Sequence, residues 1–168
     1  MMNPFSEAQR YPRLPNELRN RLSQIEPTQA IYYPALVTLR TGELRDAVYL
    51  CPAVQWFEKW GVWPEEDTGK KSVPLAEVAD LEESPSRLPR ELAETIYAAG
   101  ESGMGYHLFQ LTFRDGSVVS FGTGDAVDFL DLPPDRSRRD IVAVTPHAGR
   151  EDPTKRSALD YAWCLFSS

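Results

Sequence analysis

Two stretches of alternating apolar and polar residues, 106–113 and 119–121, constrain this chain more than any other feature. Between them lies Asp115-Gly116, a dipeptide typical of hairpin turns. A two-residue turn would misalign the apolar faces, whereas a three-residue loop ending in a left-handed Gly116 aligns them. The sequence therefore predicts an antiparallel hairpin with the longer loop. Its apolar pairs are then Leu111 with Val119 and Phe109 with Phe121.

The same register brings two glycine-rich segments together at the open end of the hairpin. These segments are residues 100–105 and 122–125, and their glycines permit close backbone approach and unusual dihedral angles. Because polar side chains converge there, this corner is the predicted site for a small molecule or a peptide. The candidate ligand-binding residues are Glu101, Ser102, Tyr106, His107, Thr123, Asp125 and Asp128. The alternative is that the glycines only turn a tight corner and the polar groups satisfy its backbone.

The corner contains the residue types of a catalytic triad, without the usual spacing. Ser102, His107 and Asp125 could serve as nucleophile, base and orienting carboxylate. A nucleophile elbow would need glycine where Met104 stands. A phosphate-binding loop is also disfavoured, because here a helix ends and a strand begins, so the negative end of the helix dipole faces the corner.

A metal site at the same corner is a further alternative. Its ligands would be histidines and aspartates, but their positions match no recognisable ligand spacing. These residues are His107, His147, Asp125, Asp128 and Asp131. We therefore expect no cofactor and favour a non-enzymatic protein. The alternative is a hydrolase or metal-dependent enzyme that uses the corner between Glu101 and Asp128.

The N-terminal residues predict an arm and a short amphipathic helix. Residues 1–13 are polar and interrupted by prolines, as in a loose arm. Apolar residues then recur at helical spacing, with Pro15 in the first turn and Pro27 just past the end. They are Leu14, Leu18, Leu22 and Ile25. The predicted organisation is an arm with a helix over residues 1–30 and a single β-rich globular domain over residues 31–168.

Several short strands are predicted in the second of these regions. Residues 31–51 predict a hairpin that turns at residues 40–42 and stops at Pro52. The last predicted strand is apolar on both faces, which is typical of a strand buried on both sides. Further strands are predicted at residues 73–81, where the pattern needs a bulge, at 141–144 and at 161–166.

One helix is predicted before the main hairpin, capped by Ser86 and ended by a left-handed Gly100. Its apolar stripe consists of Leu88, Leu92 and Ile96. The predicted fold class is α+β and mainly antiparallel, either a small barrel or hairpins folded together. One central helix packs against the sheet, and the N-terminal helical arm lies outside.

Aromatic residues are concentrated in a segment bracketed by Pro52 and Pro64. One helical turn would bring two of its tryptophans together. The segment would then plug the core, which we favour, or form an interaction surface, since tryptophan is enriched in binding hot spots. The four residues are Trp56, Phe57, Trp60 and Trp63.

Composition narrows the function further. The net charge of -7 disfavours nucleic acid as a ligand, because phosphate binding draws on Lys and Arg. Two cysteines do not make a disulfide framework, and no segment is long and apolar enough to span a bilayer, so a cytoplasmic protein is expected. The expected role is that of a binding or protein-interaction module whose partner is another protein, with neither nucleic acid nor membrane involved. An acidic protein of this kind would suit a basic partner, and the oligomeric state is left open.

Overall fold

The structure, a computed structural model, describes residues 10–168. These residues form two compact units, residues 10–85 with 161–168, and residues 86–160. Helices and strands occur together, which confirms the α+β class. In chain order the elements are α1 Asn16–Leu22, β1 Tyr33–Leu39, β2 Leu44–Pro52, α2 Ala53–Trp60, β3 Lys71–Ser72, β4 Val78–Glu83, α3 Arg90–Ala98, β5 His107–Phe113, β6 Val118–Thr123, β7 Ile141–Pro146 and β8 Ala162–Phe166. The division at residue 30 made from the sequence stays a prediction.

The first unit contains a five-stranded sheet in the order β3-β8-β2-β1-β4. The predicted hairpin of β1 and β2 is confirmed as an antiparallel pair, while β8 runs parallel to both of its neighbours. Every residue of β8 is buried, as its two apolar faces predicted. Among the described residues the first and last strands of each sheet do not pair, so neither sheet closes into the barrel considered above.

The two cysteines lie on adjacent strands of this sheet. Leu50 is opposite Cys164, and Cys51 is opposite Leu165. Because side chains alternate between the faces of a sheet, the two thiols lie on opposite faces. Both thiols are free and fully buried.

The second unit contains a three-stranded sheet in the order β6-β5-β7, with α3 packed against it. The predicted hairpin register is confirmed, and Gly116 has a φ of +86°. The apolar face of β5 and the buried residues of α3, Ala93 and Ile96, belong to one hydrophobic cluster. The sheet thus carries its core on the side of α3.

Three local predictions need correction. The helix α3 begins at Arg90 after Pro89 and is not capped by Ser86, because a residue that precedes proline disfavours the helical region. Within residues 73–81, a 3-10 turn at Leu75–Glu77 precedes β4, so the strand begins at Val78; the predicted bulge is present at Ala79. Of the predicted arm, residues 1–9 lie outside the described residues, while Arg13 forms a β-bridge with Ser167.

Candidate functional site

The glycine-rich corner before β5 is a tight turn closed by its own backbone. The Ser102 N–H donates to the carbonyl of Tyr106 at 2.9 Å. A Cβ on Gly103 would lie 2.2 Å from the Tyr106 ring, so only glycine fits beneath that ring. The exposed Glu101 accepts a hydrogen bond from the N–H of Gly105 at 3.0 Å. Three of the predicted site residues, Glu101, Ser102 and Tyr106, are therefore brought together in this turn.

The hydroxyl of Ser102 lies at the centre of a hydrogen-bond network. It accepts from the N–H of Leu108 at 2.8 Å and lies 2.8 Å from Nδ1 of His147. The other ring nitrogen of His147 lies 2.9 Å from the carbonyl of Ala99. Since a carbonyl can only accept, Nε2 carries the proton in the neutral ring, and the Ser102 hydroxyl hydrogen has two acceptors, Nδ1 of His147 and the Leu108 carbonyl at 3.3 Å.

Arg150 extends this network on the solvent side. Its guanidinium donates to the Tyr106 hydroxyl at 3.2 Å and to the Ser102 carbonyl at 3.1 Å. The hydrogen bond to Tyr106 raises the pKa of the arginine above its ordinary value. The network therefore joins the turn before β5 to the residues that follow β7.

The remaining predicted residues lie on the hairpin and beyond it. His107 is buried opposite Thr123, with its ring edge-on to Tyr97, 6.1 Å away. Asp128 is fully buried and accepts a hydrogen bond from the Tyr97 hydroxyl. Asp125 is half-buried. The histidine that contacts Ser102 is therefore His147, in place of the His107 suggested by proximity in sequence.

The aromatic segment lies in the first unit and starts with α2. Trp56 and Trp63 are fully buried, whereas Phe57 and Trp60 are half-buried. Trp56 stacks between Trp60 and Trp63, at centroid distances of 5.6 and 6.3 Å. The indole N–H of Trp60 donates to the Tyr32 hydroxyl at 3.1 Å. Only Phe57 and Trp60 leave part of their rings for a partner to reach.

Three of the four sheet edges in residues 10–168 are protected. The edge strand β3 has only two residues. On β4, the outward N–H of Leu81 donates to the Asp80 carboxylate, and its carbonyl accepts from Arg21 at 3.1 Å. On β6, Arg156 exchanges backbone hydrogen bonds with Ser120 and Gly122 at 2.9 Å each. Short strands, charge, proline, bulges and a covering segment are the usual means by which proteins block unwanted strand pairing.

The fourth edge, β7, is not a very short strand, and among the described residues it has neither a charged side chain nor a paired segment; its protections are a bulge at its start and Pro146 at its end. The N–H of His147 donates to the carbonyl of Leu108 at 2.7 Å. Along an antiparallel strand, residues that bond to the neighbouring strand alternate with residues whose N–H and C=O point away from it. Because His147 bonds to β5, Thr145 also bonds to β5, whereas the N–H and C=O of Val144 point outward, away from the sheet. A register shift opposite Phe113 leaves Val142 as an extra residue, 52% exposed. This bulge is confined to the start of β7, so residues 143–145, between the bulge and Pro146, form a regular, uncharged edge.

Two features are absent from the described residues. No helix there is long and apolar enough to cross a membrane. No group of three or more His, Cys, Asp or Glu side chains among them is placed to hold a metal ion. In comparisons with known proteins, no protein family, curated protein or solved structure matches the chain.

Proposed function

We propose that the protein is a non-enzymatic interaction module that binds an extended segment of another protein along the outer edge of β7. The observation that carries this proposal is the contrast between β7 and the other three edges described above. An unprotected strand edge offers a row of backbone donors and acceptors, and adding a strand to such an edge is a common mode of peptide recognition.

The chemistry of the edge defines the kind of segment it would accept. The sequence of β7 is Ile-Val-Ala-Val-Thr-Pro, without a charged side chain. Each backbone hydrogen bond to an added strand contributes a net ~0.5–1.5 kcal/mol, so specificity must come from side chains on the two faces. Exposed Val142, Ala143 and Thr145 favour a β-branched, uncharged partner segment.

In this proposal, the hydrogen bonds of the glycine-rich corner fix the position of β7. His147 follows β7 directly, and its backbone and ring bond to Leu108, Ser102 and Ala99. These contacts hold the end of β7 against β5, so the outer edge is presented in a fixed extended conformation. Pre-ordering of this kind lowers the entropic cost of binding.

Charge adds a second element to the proposal. The net charge of -7 repels nucleic acid. Duplex DNA or RNA should therefore bind weakly and dissociate at physiological salt. A cytoplasmic location is also proposed, and it is supported by two free, buried cysteines.

Peptide binding to single-site variants tests the proposal. The probes are a fluorescent peptide that copies residues 139–147, a Val/Thr-alternating peptide of the same length, and a control version of the Val/Thr peptide with proline at every second position, which cannot pair as a strand. Val142→Lys places a charge on the edge and should weaken binding of both strand-forming peptides at least about tenfold, which is ~1.4 kcal/mol. Val118→Lys is the matched control, because Val118 is 51% exposed and lies on the covered edge strand β6. If neither peptide binds the wild-type protein, or if both variants bind equally well, the proposal is wrong.

A second candidate function rests on the hydrogen bond between Ser102 and His147. In an acyl transfer, the Ser102 oxygen would attack an ester carbonyl while Nδ1 of His147 takes the hydroxyl proton and passes it to the leaving alkoxide. Water would then hydrolyse the acyl-serine. The N–H of Leu108, which donates into the same oxygen, opposes this chemistry by lowering its nucleophilicity.

Covalent labelling separates this candidate from the interaction module. A fluorophosphonate ester labels serines that a neighbouring base activates, and intact-mass spectrometry counts the adducts. The enzyme candidate requires one adduct that is lost in Ser102→Ala and kept in Ser117→Ala. We expect no adduct, because the Ser102 oxygen is held within the turn.

A further inference from the structure

We infer that the segment seated on β7 is the β7 strand of a second copy of this chain, so that two three-stranded sheets join into one six-stranded sheet. This inference rests on the proposed use of the β7 edge. The proposed function specified only that the bound segment is uncharged and β-branched. The inference adds which chain supplies that segment.

Self-complementarity of the backbone supports this choice. In an antiparallel pair with two-fold symmetry, Val144 can lie opposite its own copy. Each Val144 then donates its outward N–H to the other and accepts at its outward C=O, which gives two hydrogen bonds across the axis. Pro146 lacks an N–H, so the carbonyl that faces it in the other copy receives no donor, and the pair depends mainly on the two hydrogen bonds of Val144.

The side chains near the axis also favour a second copy. In this register Ala143 lies opposite Thr145 of the other copy, and both residues are exposed in the single chain. Residues 141–146 contain no charge, so no like charges face one another in the paired segment. The sequence of β7 is therefore itself an uncharged strand with β-branched residues, which is the kind of segment proposed to bind along its edge.

The net charge of the chain opposes this association, so the effect of salt can distinguish a β7 dimer from a charge-driven contact. Each copy has a net charge of -7, so two copies repel each other at low ionic strength. Added salt screens this repulsion without weakening the backbone hydrogen bonds of the pair. Dimerisation through β7 should therefore become stronger as salt increases, whereas a charge-driven contact would become weaker.

Sedimentation velocity on the full chain tests the inference. We expect the chain to change from monomer to dimer as its concentration rises from about 1 µM to about 1 mM. The dissociation constant should fall with added salt and rise at least about tenfold in Val142→Lys. Val118→Lys changes the net charge by the same amount and should dimerise like the wild type. Thermal unfolding of both variants verifies that they fold.

Two results would overturn the inference. One is a dimer that Val142→Lys leaves unchanged, since it would use another surface. The other is a chain that stays monomeric over the whole range while the Val/Thr peptide still binds to β7. That second result removes the second copy as occupant and leaves the proposed function standing, whereas loss of all peptide binding removes both.

Discussion

Nδ1 of His147 lies 2.8 Å from the hydroxyl oxygen of Ser102, although the two residues are 45 positions apart in the chain. The same serine oxygen accepts the N–H of Leu108 at the start of β5. One hydroxyl therefore connects a glycine-rich turn, the central strand of a sheet and the end of its edge strand.

Removing this hydroxyl should destabilise the protein. Ser102→Ala leaves the N–H of Leu108 and Nδ1 of His147 without their partner, so the free energy of unfolding should fall by ~1–3 kcal/mol. Urea denaturation measures the change. Ser157→Ala is the control, because Ser157 is exposed and its hydroxyl contacts only the adjacent carbonyl, at 3.4 Å. Equal unfolding midpoints for the two variants would contradict the role assigned to Ser102.

The left-handed residue after α3 gives a second prediction. Gly100 has a φ of +79°, and a Cβ built there would meet no atom within 4 Å. Gly100→Ala should therefore cost about 1 kcal/mol or more through backbone strain alone. Gly124→Ala is the matched control, since its φ lies outside the left-handed region and its Cβ would make an ordinary contact with the Gly105 carbonyl at 3.9 Å. Chemical denaturation of both variants checks this, and unchanged stability of Gly100→Ala would mean that the strain is absent.

The two thiols should be unreactive in the native protein. Burial raises the pKa of Cys164 to about 12 and raises that of Cys51 as well. Because a raised pKa keeps a thiol protonated at neutral pH, neither cysteine should react with a thiol-exchange reagent until urea unfolds the chain. A disulfide between them is not expected, since they lie on opposite faces of the sheet. Rapid labelling of either residue, or an intramolecular disulfide, would contradict this placement.

The aromatic segment provides a fourth prediction. Trp56 is fully buried, so Trp56→Ala should lower the free energy of unfolding by about 3 to 5 kcal/mol. Trp60 is half-buried, so Trp60→Ala should lower the free energy of unfolding by less than Trp56→Ala does. If β7 is the contact surface, Trp60→Ala should also sediment like the wild type. A Trp60→Ala variant with wild-type stability and a changed sedimentation coefficient would instead show that the half-buried rings of Phe57 and Trp60 meet another chain.

Local signals in the sequence were sufficient to predict the main hairpin. Alternation with period two and a turn glycine determine the register of β5 and β6, since one-residue slippage would expose Phe109 and Leu111. The left-handed conformation of Gly100 could also be predicted locally, because this glycine comes just after the end of a helical pattern of apolar residues. The start of that helix was missed because Pro89 overrides the capping preference of Ser86.

Pairings between distant segments could not be predicted from such signals. Nothing in the strand pattern of β7 indicates that it pairs with β5, so His147, considered from the sequence only as a metal ligand, was not expected to contact Ser102. The parallel pairing of β8 was missed for the same reason, since its two apolar faces predict burial without a strand direction. The unprotected edge became visible only once the pairs of β7 and of its neighbours were known.

Amide hydrogen exchange resolved by residue is the most direct test of the β7 edge. In the dilute monomer, the outward N–H of Val144 should exchange close to its intrinsic rate, while that of Thr145, bonded to β5, should be protected. With saturating β7 peptide, or at high protein concentration, exchange at Val144 should slow at least about tenfold, and exchange at Thr145 should change little. Protection of Val144 already present at low concentration, or fast exchange that persists at saturation, would contradict the account.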